Sequence, residues 1–428
     1  MASPRMRWAA RLGVAALAVG VAAPAAWAAT SWTPAPTADS KTGFVSPQYS
    51  WNYGSAASKV GTNKIAFAYS SDAGTANSKQ SVYARIGTVD PASKAVTWGK
   101  AKLISPKAQI ADRITLGAGK TNGNVYTAWA NQTSYGKYDP AKPRVAYYRG
   151  LVGGSWTKPV KLSSKTGRVD YPVVSGAGNN VYVAYTNSDT GKVTLKVSGN
   201  AGASFATKTL GTTTRDINDG DGLGGWPCVT SDGTNVASAW LDGTGKIGVV
   251  ISKNSGGTIV KTSINTGSAA GGDDEGWVQC DASGSRVGFT WNQDDGVYYA
   301  EYSTASNSFV TSPTKAYSLP GGGYTASYSG SVSLSGASTV GLAAPLCVTN
   351  GCDYTNNTSR IDLKWLESTN KGVAWGAPTA LANSSVAGKF LNDSPSPIFF
   401  DATTRYVIYN GWQANYKNYR LYLSTGLS

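Results

Sequence analysis

The chain has 428 residues with 51 Gly, 24 Tyr, 14 Trp, only two Met and 14% charged residues, a composition that favours β structure and excludes a helical bundle. It contains no histidine, which excludes a Ser-His-Asp triad, a Cys-His dyad, a histidine-ligated zinc and a histidine-based lyase. Chemistry falls to Asp, Glu, Tyr, Lys or Arg, and the formal net charge of +14 describes a moderately basic surface with Lys scattered singly.

Residues 1–28 carry Arg5, Arg7 and Arg11, an Ala/Val/Leu-rich stretch and Ala26-Trp27-Ala28, the pattern of a secretion signal with a small-residue cleavage site. Removal of those three arginines lowers the formal charge from +14 to +11. Residues 29–428 are expected to form a single secreted, extracellular, monomeric domain, without membrane insertion and without nucleic acid as a partner. The four cysteines are expected to form two disulfides in an oxidising compartment, with Cys347 and Cys352 stapling one loop.

A short apolar strand then recurs seven times, at Lys64–Tyr69, Val125–Trp129, Val181–Tyr185, Val236–Trp240, Val287–Trp291, Val340–Ala344 and Tyr406–Tyr409. The spacing of roughly 50 to 65 residues is that of a four-stranded propeller blade. A second alternating strand follows each copy, at Val82–Ile86, Val145–Tyr148, Val193–Val197, Ile247–Ile251, Val297–Tyr302, Ile361–Trp365 and Leu421–Leu423. Fourth strands start near Trp98, Trp156 and Trp375, and the seventh unit lacks one. Trp32-Thr-Pro-Ala-Pro matches that missing pattern, so the N-terminal strand is expected to close the last blade. The fold class is all-β: a seven-bladed β-propeller, with six blades as the alternative count.

Ser198-x-Asn200-x-Gly202-x-x-Phe205, Ser252-x-Asn254-x-Gly256 and Ser368-x-Asn370-x-Gly372-x-x-Trp375 fall between third and fourth strands. They resemble the Asp-box of sialidase-like, BNR-repeat propellers, with Asn in place of Asp, and as Asx turns they are structural rather than catalytic.

Stepping back roughly twelve residues from each second strand reaches the start of the innermost strand, where a propeller funnel holds ligand. That column reads Tyr53, Arg113, Val169, Gly224, Glu275, Tyr328 and Asp393, flanked by Trp51, Asp112, Arg168, Asp170, Tyr171, Asp221, Trp226, Asp273, Asp274, Trp277 and Tyr324. Carboxylates, aromatic faces and arginines together suit a sugar. Cys228 and Cys280 each follow a Trp by two or three residues, and neighbouring innermost strands would bring them close enough to pair.

Sialidases use a Tyr/Glu pair with an Asp, and the resemblance implies Glu275 as base to a Tyr328 nucleophile, Asp393 as acid and base, and Arg113 beside them. The chain departs from sialidases in having Arg113-Ile114-Thr115 where the family has Phe-Arg-Ile-Pro, and in lacking a third funnel arginine, so sialic acid is not the expected substrate. Trp51, Tyr53, Arg168, Asp170, Tyr171, Trp226, Asp274, Trp277 and Tyr324 are the expected substrate-binding residues. The leading expectation is a glycoside hydrolase on extracellular polysaccharide or glycan; the alternatives are a lectin-like binding propeller and a uronate polysaccharide lyase with Tyr53 or Tyr328 as base. No cofactor is expected, a structural Ca2+ at Asp216–Asp221 being the alternative.

Overall fold

The computed structural model describes residues 31–36, 56–71, 81–106, 110–119, 122–132, 143–214, 225–253, 257, 259–266, 278–293, 295–319, 330–347, 361–381, 391–413 and 417–427. These form seven antiparallel blades. Innermost to outermost, blade 1 is Ala57–Val60, Lys64–Ser71, Ser81–Val89 and Val96–Trp98; blade 2 is Ile110–Ala118, Val125–Gln132, Arg144–Val152 and Ser155–Trp156. Blade 3 is Val169–Ala177, Asn180–Asn187, Lys192–Ser198 and Ala206–Thr212; blade 4 is Cys228–Ser231, Val236–Leu241, Lys246–Ser252 and Ile259–Asn265. Blade 5 is Gln279–Ser283, Arg286–Gln293, Gly296–Ser303 and Ser308–Ser318; blade 6 is Ser331–Ser335, Thr339–Cys347, Ile361–Ser368 and Thr379–Ala380. Blade 7 is Leu391–Phe399, Thr404–Gln413 and Lys417–Leu427, and Ser31–Pro36 runs antiparallel to the last of these, from Ser31 opposite Leu427 to Pro36 opposite Tyr422.

Each of the seven apolar repeats is a second strand and each following alternation a third strand, which settles the count at seven rather than six. The second strands are legible because a blade is covered on both faces: Val125–Gln132 and Arg286–Gln293 are buried at every position. The apolar core accordingly divides into seven clusters, one at each seam between consecutive blades, and that between blade 7 and blade 1 packs Ile398, Tyr406 and Ile408 on Ile65, Phe67 and Tyr69.

The outer strands differ from expectation. Trp98 ends a short outer strand and Lys102–Leu103 resumes it, while Ser155–Trp156 and Val160–Lys161 are likewise two pieces. Gly99 and Pro159 interrupt the edge, where a missing donor or a flexible backbone is tolerated.

Polar side chains stitch the seams by capping backbone groups of the next blade. Thr115 Oγ1 donates to Pro172 O (2.9 Å) and accepts from Val174 N (3.0 Å), and Ser396 Oγ accepts from Ala56 N (3.0 Å). Arg149 donates to the Leu103 and Ile104 carbonyls across the first seam. The Ser198 and Ser368 turns have one geometry: Gly202 N and Gly372 N each donate 2.9 Å to their Ser Oγ, and Ser204 N and Ala374 N donate to Asn200 and Asn370 Oδ1. Gly202 and Gly372 have φ of +84° and +80°, and each lies against a tyrosine ring of the preceding blade, Tyr148 and Tyr299. Phe205 and Trp375 meet the same rings edge-on, at 5.1 and 5.4 Å between centroids. Asn254 and Gly256 of the third turn lie outside the described residues.

Candidate functional site

Three innermost strands break register near their N-terminal ends, each immediately after an aspartate. Asp112 pairs with Ala130, Asp170 with Thr186 and Asp393 with Asn410, and pairing then skips to Thr115, Val173 and Ser396. A bulge of this kind re-aims the side chains it carries, and recurrence in blades 2, 3 and 7 places three carboxylate-bearing positions at one end of the ring. Arg113 and Tyr171 occupy the bulges directly after Asp112 and Asp170, and Tyr171 has a φ of +44°, a left-handed conformation costly for a residue with a Cβ. The expected column therefore slips in blade 3: the residue matching Arg113 is Tyr171, not Val169, because the turn joining the first two strands is two residues shorter there, Gly176 pairing with Val181 where Ala118 pairs with Val125. Val169 itself is buried.

Two expected sugar-binding aromatics are brought together there. The rings of Tyr171 and Trp226 lie 3.6 Å apart between centroids, tilted by 48°, and each residue is 4% exposed, so the two are buried against one another. Thr186 Oγ1, opposite Asp170, donates 2.8 Å to Gly225 O and ties the two entry segments together. Arg168 pairs with Asp189: its backbone N donates 2.9 Å to Oδ2 and its Nε 2.5 Å to Oδ1. Burial works to raise the Asp189 carboxyl, but the Arg168 hydrogen bonds and charge outweigh it and hold the group below its ordinary range.

Cys228 and Cys280 are bonded, with Cα atoms 5.9 Å apart, joining the innermost strands of blades 4 and 5 as the repeat alignment required. Glu275, Tyr328, Trp51, Tyr53, Asp274, Trp277, Tyr324 and Cys352 lie outside the described residues, as does Asp216–Asp221; Arg113, Asp170, Asp393 and Cys347 are placed by their backbone. Among the described residues no three His, Cys, Asp or Glu side chains group to hold a metal.

A tyrosine, a glutamate and an arginine do meet elsewhere. Tyr299 Oη donates 2.7 Å to Glu301 Oε2, and Arg286 binds both Glu301 oxygens at 2.8 and 2.7 Å while donating to the Ser335, Gly336 and Thr339 carbonyls of blade 6. Tyr299 and Glu301 are both 0% exposed. Burial, then the Glu301 charge, push the Tyr299 phenol well above its ordinary value, the opposite of what a nucleophile needs. The cluster is a clamp between blades 5 and 6, and its sequence signal is Glu301 within the apolar alternation of Val297–Tyr302. Arg405 and Glu367 make a second such clamp between blades 7 and 6, at 2.7 Å.

The innermost strands enclose a cavity of about 490 Å³ on the ring axis. One register position recurs around it: the residue paired with the position just after the first apolar residue of each second strand. This layer is Ser58, Gly117, Ser175, Thr230, Asp281 and Ser333, with Pro397 from blade 7, and all seven line the cavity. The cavity extends to Gly61, Thr62 and Gly336, in turns that follow the innermost strands, at the end of the ring opposite the bulges.

No protein-family profile and no curated protein matches the chain. Among solved structures the chain is similar to the Hadza microbial sialidase Hz136 (TM-score 0.48, 8% identity, 87% of this chain and 65% of that one). It is also similar to a Trypanosoma rangeli sialidase (0.45, 12%, 87% and 54%) and to the catalytic domain of the Coprinopsis cinerea GH62 α-L-arabinofuranosidase (0.37, 13%, 73% and 89%). The chain spans between about half and two thirds of the length of the two sialidases.

Proposed function

We propose that this protein is a secreted carbohydrate-active propeller that hydrolyses glycosidic bonds at the bulged end of the ring. The observation that carries the reading is the threefold recurrence of an aspartate at a bulge, in Asp112, Asp170 and Asp393, on the end where innermost strands begin. A glycosidase needs two carboxyl groups across a scissile bond, and several strand ends converging on one axis supply candidates at a range of separations. Asp393 serves as acid and base, Glu275 activates Tyr328 as nucleophile, and Arg113 orients the substrate. Residues 1–28 are read as a signal removed on export, Ser31–Pro36 as the strand that closes blade 7, and the Ser198 and Ser368 turns as Asp-boxes with Asn in the acidic position.

The test is mass spectrometry of a broad glycan panel after long incubation with protein lacking residues 1–28. Fragments carrying one added water, lost in Glu275→Gln and Asp393→Asn, support hydrolysis. Unsaturated fragments would establish a lyase. A folded protein that binds glycans but releases no fragment would establish a lectin.

A further inference from the structure

We infer that the axial cavity is a second binding site, for a small neutral polyhydroxylated molecule of monosaccharide size, entered from the face opposite the bulges. The inference stands independently of the catalytic reading, since it rests on none of the residues given catalytic roles. At about 490 Å³ the cavity falls within the range of ligand pockets and far exceeds the roughly 30 Å³ of liquid volume that one water takes.

Its chemistry comes from the single layer of residues contributed by the seven strands. Asp281 accepts Leu334 N at 2.8 Å through Oδ2, and its other oxygen has no partner among the described residues. Thr230 and Ser175, from the two blades before it, hold hydroxyls with no protein hydrogen bond among the described residues. Each hydroxyl both donates and accepts, and the carboxylate accepts strongly, so together they match a molecule whose own groups do both.

The charges argue against an anion and against a calcium ion. Lys59, one position further along in blade 1, donates 2.5 Å to Phe400 O and lies 4.9 Å over the Phe400 ring, so its ammonium is held at the wall. An anion would face Asp281 with that cation already engaged. A calcium ion takes six to eight oxygens and favours several carboxylates, whereas this layer offers one.

The test is saturation-transfer NMR on the protein lacking residues 1–28, with D-glucose, D-galactose, L-arabinose and glycerol as separate probes. Binding of at least one probe is expected, weakened about tenfold or more in Asp281→Asn and abolished in Ser175→Leu, which fills the layer. Binding is expected to persist in Glu275→Gln, which alters the proposed catalytic set and not the axial layer. Ser175→Leu serves as the deciding variant if Asp281→Asn fails to fold. The inference is overturned by no transfer from any probe to folded protein, by binding that both variants leave intact, or by binding lost in Glu275→Gln. Stabilisation by CaCl2 that depends on Asp281, with no sugar signal, would also overturn it in favour of a cation site.

Discussion

Replacing Glu301 by Gln keeps the shape of the clamp between blades 5 and 6 and removes its negative charge. Arg286 then stays buried, at 5% exposure, with three carbonyls and a neutral amide around it. Breaking a buried pair from one side costs about 3–5 kcal/mol, because the surviving charge has lost its compensation. A domain of about 400 residues unfolds with an entropy of about 0.8 kcal/mol per degree, so the expected fall in melting temperature is about 4–6 °C. Arg286→Met should cost more, since it leaves Glu301 with only the Tyr299 hydroxyl and uncaps the Ser335, Gly336 and Thr339 carbonyls at about 1–3 kcal/mol for the group. The double variant Arg286→Met/Glu301→Gln carries no orphan charge and should be no worse than Arg286→Met alone. Differential scanning calorimetry of the four proteins reads the cycle. A melting temperature for Glu301→Gln within about 1 °C of the parent, or strictly additive single effects, would refute the desolvated clamp.

At high pH the tyrosines dominate. Burial pushes the Tyr185, Tyr406 and Tyr409 phenols up to about 12, from about 10 in the unfolded chain. Their contribution is fully present below pH 10 and is lost as pH rises through 12, so denaturant titrations should show stability falling by about 1.4 kcal/mol per pH unit for each such group in that window; a flat profile would contradict the burial. Gly202→Ala and Gly372→Ala should destabilise well beyond the roughly 1–2 kcal/mol of a left-handed Cβ, because the methyl overlaps Tyr148 or Tyr299; Gly61→Ala and Gly336→Ala, with similar φ and open space, should cost only that amount in urea melts. Reducing Cys228–Cys280, which closes 52 residues, should remove up to about 4 kcal/mol in the same measurement. Deleting residues 31–36 should lower the melting temperature, since Trp32 packs edge-on against Trp365 at 5.3 Å; an unchanged value would remove Ser31–Pro36 from the load of blade 7.

Seven blades were legible because the second strands are covered on both faces and so repeat as near-continuous apolar runs. Outer strands were less legible, since an edge tolerates Gly99 or Pro159 without a change in the apolar pattern. The funnel column failed at Val169 for a specific reason: counting back from a second strand assumes turns of equal length, and the turn before the second strand of blade 3 is two residues shorter than that of blade 2. The contact of Trp226 with Tyr171 was not legible because a Trp at a strand entry gives no sign of which partner its ring will meet. Pairing of Cys228 with Cys280 was legible, because the blade period puts both on adjacent innermost strands. The axial layer was invisible in the sequence because Ser, Thr and Gly are also ordinary turn residues; they align only when register assigns Ser175, Thr230 and Asp281 to one level.

That layer has a consequence for how such a ring diversifies. The seam clusters draw on other positions of the blades, so the axial wall is written in a word of seven letters, here Ser-Gly-Ser-Thr-Asp-Ser-Pro, one from each repeat. Single substitutions can respell that word, and with it the charge and bore of the axis, while leaving the grammar that joins blade to blade intact.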